Sequence, residues 1–312
     1  MDLVLLFPGQ GSQRPGMGRD LAEAHPAARQ VFEQVDAALG VALSTLCFDG
    51  PADELTLTHN AQPALLAHGA AVWAVTAPTL GPCVRAAAGH SLGEFTAYHA
   101  AASLTLEQGA RLVRRRGELM LRAGEDRPGT MAAILGDLTR PIEAICAEAS
   151  AVGVVVPAND NSPGQLVISG EVAAVERAME LAKAAGARRT VPLTVSGAFH
   201  SPLMAAAAAE LRNALAAAQL APPSFPVYSN VTAQPVTDAA VALDLLYRQL
   251  TAPVRWTEEV RQLAAAHPDA LFVEMGPGNV LTGLVKRIAP TVATATCGTA
   301  AEVDALLARV AR

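Results

Sequence analysis

Aromatic residues are scarce, at 4% of the 312-residue chain, which fits a helix-rich α/β protein better than a β-sandwich core. No stretch interleaves basic residues with rings, and the net charge of −6 leaves nucleic acid out as an expected partner. Cysteine is sparse too. Cys47, Cys83, Cys146 and Cys297 lie far apart without a Cys-x-x-Cys spacing, which argues against a zinc site or a disulfide framework and leaves reduced, packed thiols. Lysine is almost missing: Lys183 and Lys286 are the only two, so arginine carries the positive charge, and nothing functional follows from that. The most hydrophobic long segment, Ala61 to Ala77, is broken by Gln62, Pro63, His68 and Gly69 and reads as a buried helix, short of a membrane span. The first residues lack the basic start and long apolar stretch of an export signal, so the expected location is the cytoplasm. No motif calls for a metal, a phosphate-binding loop or a redox cofactor.

What the chain has in quantity is apolar residues, 51% with alanine prominent, and enough length for one large domain carrying a smaller one. Short β-type runs alternate with longer helical ones: Leu3 to Phe7 as a strand, amphipathic stretches at Leu21 to Leu39 and Ala61 to Ala77, and Val84 to Ala88 as a strand. That rhythm predicts a mostly parallel sheet covered by helices, an α/β fold. After a charged, Pro/Gly-containing linker at Gly124 to Gly129 the order changes. Strand Thr130 to Leu135, helix Leu138 to Ala149, strand Val152 to Pro157, a turn at Asn159 to Gly164, strand Gln165 to Ser169, helix Val172 to Ala185 and strand Arg188 to Thr194 follow. This is the β-α-β-β-α-β order of a ferredoxin-like unit. The expected division is a large subdomain of residues 1–127 and 196–312 with a small one, 128–195, inserted, and a ligand cleft between them.

Gly89-His90-Ser91-Leu92-Gly93 is the most informative stretch. An apolar run leads into it and a helical pattern follows, the setting of a sharp turn that exposes a serine nucleophile. A serine hydroxyl is a weak nucleophile at neutral pH and needs a base within hydrogen-bond reach. Of the seven histidines, His25, His59 and His68 lie in helical or turn settings without a supporting motif, His99 follows on the helix after the serine, and His267 precedes a proline on a loop. His90 adjoins the serine, but its side chain must point away from that of Ser91. His200 lies where the chain leaves the small subdomain, a position from which a loop reaches over the cleft, and it is the candidate base.

Phe7-Pro8-Gly9-Gln10-Gly11-Ser12-Gln13, Gly89-His90-Ser91-Leu92-Gly93-Glu94, Arg116-Gly117-Glu118-Leu119-Met120, Asn161-Ser162-Pro163-Gly164-Gln165 and Gly197-Ala198-Phe199-His200-Ser201 follow one another in the order of the malonyl-CoA:acyl carrier protein transacylase family, which the chain resembles. The likeness continues through Gln249-Leu250, Pro253-Val254-Arg255-Trp256 and Glu274-Met275-Gly276-Pro277-Gly278, so it covers nearly the whole chain. It implies an α/β-hydrolase-like body with a ferredoxin-like insert, and a monomer. The implied reaction passes malonyl from malonyl-CoA to the phosphopantetheine thiol of acyl carrier protein in fatty-acid synthesis, by a ping-pong route through a malonyl-serine. Coenzyme A enters only as the thioester substrate, without a further cofactor.

Residue by residue, the resemblance implies that Ser91 attacks the thioester and His200 moves the proton. The backbone N–H groups of Gln10 and Leu92 form the oxyanion hole, and a carbonyl of Gln249 orients the histidine in place of a carboxylate. Arg116 pairs with the malonyl carboxylate, for which a guanidinium has matching geometry. The neighbouring Arg114 and Arg115 are expected to be solvated. Phe199 matches the malonyl-preferring form and leaves little room for an α-methyl branch. Met131, Asn159 and Asn161 are candidates for the wall of the small subdomain, with packing and turn formation as the alternative. Arg188, Arg189, Lys286 and Arg287 are candidates for docking the acidic carrier, with ordinary surface charge as the alternative.

Two other readings stay open. A serine thioesterase or esterase uses a similar elbow and would make His267, late in the chain, the competing base. A discrete acyltransferase of a polyketide synthase or of malonate decarboxylase would keep the chemistry and change the pathway.

Overall fold

The computed structural model describes residues 1–310. Among the described residues ten strands form two sheets: β1 (Leu3–Phe7), β2 (Val84–Gly89), β3 (Thr130–Leu135), β4 (Val155–Ser162), β5 (Gln165–Gly170), β6 (Arg189–Pro192), β7 (Val227–Tyr228), β8 (Pro235–Val236), β9 (Leu271–Glu274) and β10 (Ala293–Thr296). The first has the order β10-β9-β1-β2-β7-β8 and is parallel apart from β8. Helices cover both faces of this sheet, and β1 accordingly reads as an unbroken apolar run. Its Leu3, Leu5 and Phe7 enter one core, while Val4 and Leu6 enter another, with Trp256 and Phe272.

The second sheet has the order β4-β5-β3-β6, and its strand pairs are antiparallel. Helices Ile142–Ala149 and Val172–Ala184 bury Ala132, Ile134 and Ile168 from one face in a core of their own. The alternate residues Met131 and Val167 turn to the opposite face and join the main core. The chain is thus an α/β body with a mostly parallel sheet and a smaller antiparallel unit. That unit is tied down along β4: Asp160 N–H donates to the Val254 carbonyl (2.9 Å), Val254 N–H to that of Ala158 (2.8 Å), and the Thr257 hydroxyl to the Asp160 carboxylate (2.6 Å).

Four local expectations change. Gly124, Glu125 and Asp126 are the end of the long helix Leu106–Asp126 and not part of a linker. Asn159 to Ser162 extend β4, leaving only Pro163-Gly164 to turn, because the ladder to β5 and the bridge to Val254 outweigh the turn preference of Asn-Asp-Asn. The stretch Leu21 to Leu39 is two helices, Arg19–Ala24 and Pro26–Leu39, divided where Pro26 starts the second. The first helix of the small unit begins at Ile142, after a turn. The apolar segment Ala61 to Ala77 lies inside the helix Thr58–Leu80, part of a stretch, Thr58–Cys83, that is long and apolar enough to cross a membrane; here residues 61–72 are buried by the protein itself.

Candidate active site

β1 and β2 run side by side and both end at the same edge of the parallel sheet, where ligands of such sheets bind. The chain turns sharply after β2. Ser91 takes φ 52° and ψ −107°, a strained conformation for a residue with a side chain, and the helix Leu92–Ala100 begins immediately after it. Only glycines permit the crossing: a Cβ on Gly93 would lie 2.0 Å from the Phe7 carbonyl oxygen, and one on Gly89 would lie 1.9 Å from the Gly93 carbonyl carbon. The Gly-x-Ser-x-Gly pattern is therefore a packing requirement of the elbow as well as a marker of it.

His200 arrives from the other side of the cleft, also at positive φ (56°), in a turn where the Ser201 hydroxyl donates to the Ala198 carbonyl (2.6 Å). Its Nε2 is 2.8 Å from Ser91 Oγ. Its Nδ1 is 2.9 Å from the backbone oxygen of Gln249 and 3.2 Å from that of Ala252. A carbonyl only accepts, so Nδ1 carries the proton and Nε2 is the acceptor facing the serine hydroxyl. Gln249 closes the helix Ala239–Gln249, whose last carbonyls have no partner further along the helix and carry its partial negative charge. That charge takes the place of the carboxylate in a serine–histidine–aspartate triad. Burial, and then the Arg116 charge, push the His200 pKa down to about 3, so the ring is neutral at physiological pH.

Arg116 is 1% exposed in the middle of the helix Leu106–Asp126. Its Nη2 donates to Ser91 Oγ (3.0 Å) and to Gln249 Oε1 (2.9 Å), and its Nη1 donates to Gln62 Oε1 (2.9 Å). Burial lowers its pKa to about 10, opposed by Glu94, and the guanidinium stays charged at neutral pH. Arg114 differs from its expectation of simple solvation: it is half-buried and held by Glu118 and Asn60.

Between these groups lies a cavity of about 330 Å³ whose wall includes Gln10, Leu92, Met131, Asn159, Asn161 and Phe199 together with Ser91, Arg116 and His200. Among the described residues Arg116 is the one side chain in that wall with a permanent charge. Gln249 stands behind the wall, fully buried. His90 also faces the cavity; its Nε2 meets Asn161 Oδ1 at 2.8 Å, tying the elbow to β4. The competing base His267 lies outside this group. It precedes β9, whose first residue Leu271 bonds the backbone of Asp2, at the edge of the sheet opposite Ser91. The four proposed docking cations are exposed.

Sequence reasoning missed the groups beneath the elbow. Asn230 Oδ1 accepts the Ser91 N–H (2.8 Å), and Gln249 Nε2 donates to the Ser91 carbonyl (2.9 Å) and to Glu94 Oε2 (2.6 Å). Asn230, and Glu259, which accepts from Asn230 Nδ2 (2.9 Å), carried no motif of their own. The available signal was position: Asn230 follows β7 at the ligand-binding edge of the sheet.

The acyl transferase domain family matches residues 4–308. The malonyl CoA-acyl carrier protein transacylase of Bacillus subtilis strain 168 is 45% identical over 287 residues, covering 92% of this chain and 90% of its own. That of Salmonella typhimurium is 43% identical over 304 residues, covering 97% and 98%. Among solved structures, the acyl-carrier-protein S-malonyltransferase of Bartonella henselae superposes with a TM-score of 0.95 at 44% identity, over 100% of both chains. A malonyl-transacylase in complex with a type II polyketide acyl-carrier protein gives 0.94 at 41% identity, over 99% of this chain and 100% of its own.

Proposed function

The chain belongs to the acyl transferase domain family, and on that premise we propose that the malonyl group it moves is carried on Ser91. The activity is that of its relatives, transfer of malonyl from malonyl-CoA to acyl carrier protein, as in fatty-acid synthesis.

In the first half-reaction His200 Nε2 takes the Ser91 hydroxyl proton as Oγ attacks the thioester carbonyl. The backbone N–H groups of Gln10 and Leu92 hold the oxyanion. The carbon–sulfur bond breaks, coenzyme A leaves as the thiol with the proton from His200, and malonyl remains as an ester on Ser91. The carrier thiol then gives its proton to His200, attacks the ester, and releases Ser91 Oγ, which recovers the proton. A thiolate leaves readily, so a base oriented by a neutral carbonyl suffices. Arg116 neutralises the free malonyl carboxylate, an interaction acetyl cannot make. Phe199, Met131, Asn159 and Asn161 shape the acyl site.

The observation that carries this reading is that the Ser91 hydroxyl has an accepting imidazole nitrogen at 2.8 Å and a buried guanidinium at 3.0 Å. The test is mass spectrometry after incubation with malonyl-CoA without carrier. Malonyl on the peptide containing Ser91, released on adding carrier and missing from Ser91→Ala, is the expected result. A modified residue elsewhere, or undiminished carrier loading by Ser91→Ala, overturns it.

Every group in this scheme comes from one chain and the steps balance without a metal or redox cofactor, which supports a monomer acting without one. The four cysteines are free, three of them buried, which favours a reducing compartment and the cytoplasm.

A further inference from the structure

Ser91 is held in its strained conformation from below. Asn230 Oδ1 accepts the Ser91 N–H (2.8 Å), while its Nδ2 donates to the Gly89 carbonyl (2.8 Å) and to Glu259 Oε2 (2.9 Å). Gln249 Nε2 donates to the Ser91 carbonyl (2.9 Å) and to Glu94 Oε2 (2.6 Å). Two side-chain amides thus grip the nucleophile on both sides, and each rests on a carboxyl group. Asn230, Gln249, Glu94 and Glu259 are all 0% exposed.

We propose that Asn230, set by Glu259, is a positioning residue for malonyl transfer: its amide fixes the backbone on the N-terminal side of Ser91, as Gln249 fixes the C-terminal side. A peptide unit is planar and trans, so its carbonyl and N–H point in opposite directions. Drawing the Ser91 carbonyl down to Gln249 therefore turns the Leu92 N–H up to the oxyanion position. Drawing the Ser91 N–H down to Asn230 fixes the other peptide plane and, with it, the direction of Oγ toward His200.

Burial is costly for these carboxyl groups and the fold accepts that cost. The Glu259 pKa is driven well up by burial and then by Glu94, and burial raises Glu94 to about 7. A neutral Glu259 still accepts the Asn230 bond. Its role is that of a hydrogen-bond acceptor, which the glutamine carbonyl can fill and the weakly accepting methionine sulfur fills poorly. Without the acceptor, one Asn230 N–H is left unpaired in the interior and the amide is free to turn.

The test rests on Ser91 as the acylated residue, and compares Glu259→Gln with Glu259→Met. The readout is kcat and KM for malonyl-CoA, with kcat normalised to the burst of coenzyme A so that unfolded protein does not count. The expected result is a drop of at least about tenfold in kcat per active site for Glu259→Met at little changed KM, since small errors in nucleophile placement act on the transition state. Glu259→Gln should recover to within about threefold, as expected of a replacement acceptor. If Glu259→Met does not fold, Asn230→Ala is measured in the same way. Normal kcat per site in the truncated variant, a Gln variant as slow as Met, or failure of both Met and Ala variants to fold overturns the positioning role. A persistent burst in Ser91→Ala would instead overturn the nucleophile assignment, and the two failures are separate.

Discussion

His200 Nδ1 lies 2.9 Å from the backbone oxygen of Gln249, so the proposed base of this site is oriented by a helix end that no change of pH can titrate. Burial, with Arg116 adding to it, holds His200 at about 3. Between that value and about 6.5, where a histidine in the unfolded chain titrates, the unfolded state binds the proton and the folded site refuses it. His200 therefore favours folding at higher pH, a contribution lost as the pH falls through this window. Glu94, raised to about 7, acts in the opposite sense, binding a proton in the fold that the unfolded chain has released, so its stabilisation is lost as the pH rises to 7. The two oppose each other in a stability curve, and the acylation rate is the cleaner measure. At saturating malonyl-CoA the rate should show no acid limb near 6.5 from His200, and an inflection near 7 should vanish in Glu94→Gln. A limb near 6.5 that survives in Glu94→Gln would contradict a neutral, low-pKa base.

Arg116 touches the nucleophile as well as lining the acyl site, so its removal has two effects of different size. Arg116→Ala should lower kcat/KM for malonyl-CoA by about 100-fold, the scale of losing charge-assisted hydrogen bonds. It should lower the acetyl-CoA rate by about tenfold or less, through the lost contact to Ser91 Oγ. Preference between the two thioesters is the deciding measurement. Parallel losses with both would show that the guanidinium supports the serine without reading the carboxylate.

Phe199 is 5% exposed and faces the same cavity as Ser91 and Arg116. Its ring takes up space that an α-methyl branch needs. Phe199→Ala should raise the methylmalonyl-to-malonyl ratio of kcat/KM by about 10- to 100-fold, the range a methyl group is worth in an apolar pocket. An unchanged ratio would place the steric limit elsewhere, with Met131 the next residue to vary.

The sequence made the elbow legible for a physical reason. A strand buried on both faces reads as an apolar run, as Leu3 to Phe7 does throughout and Val84 to Ala88 does apart from the exposed Arg85, so the turns after them were already placed. The clamp was hidden because β7 is only two residues long and carries no alternation. Glu259 was hidden because an acid in the first turn of a helix ordinarily faces water, as Glu258 does in its pair with Arg255. Gly124 misled in the other direction. It reads as a breaker, yet the helix runs through it, and a glycine is needed there because a Cβ would lie 1.8 Å from the Ser196 carbonyl oxygen. Glycine serves close packing at that point. Asn159 to Asn161 were likewise read from local preference, and long-range pairing decided their conformation.

The proposed docking surface acquires a definite shape from the strand register. Arg189 pairs with Leu135, and Leu135 pairs with Gln165, so these three lie side by side across β6, β3 and β5. Arg287 extends the row by donating from Nη1 to Gln165 Oε1 at 2.9 Å. Gln165 also pairs with Ser162, and the preceding residue of β4, Asn161, lines the cavity. Arg189→Glu and Arg287→Glu should each raise KM for the carrier by about fivefold at low salt, because rim charges act mainly on encounter. The difference from wild type should shrink as ionic strength rises and the Debye length contracts. Neither change should alter the rate of Ser91 acylation by malonyl-CoA, a step that does not involve the carrier. If both variants keep the wild-type carrier KM at low salt, the carrier approaches from another side of the cavity, and this row is only solvated surface.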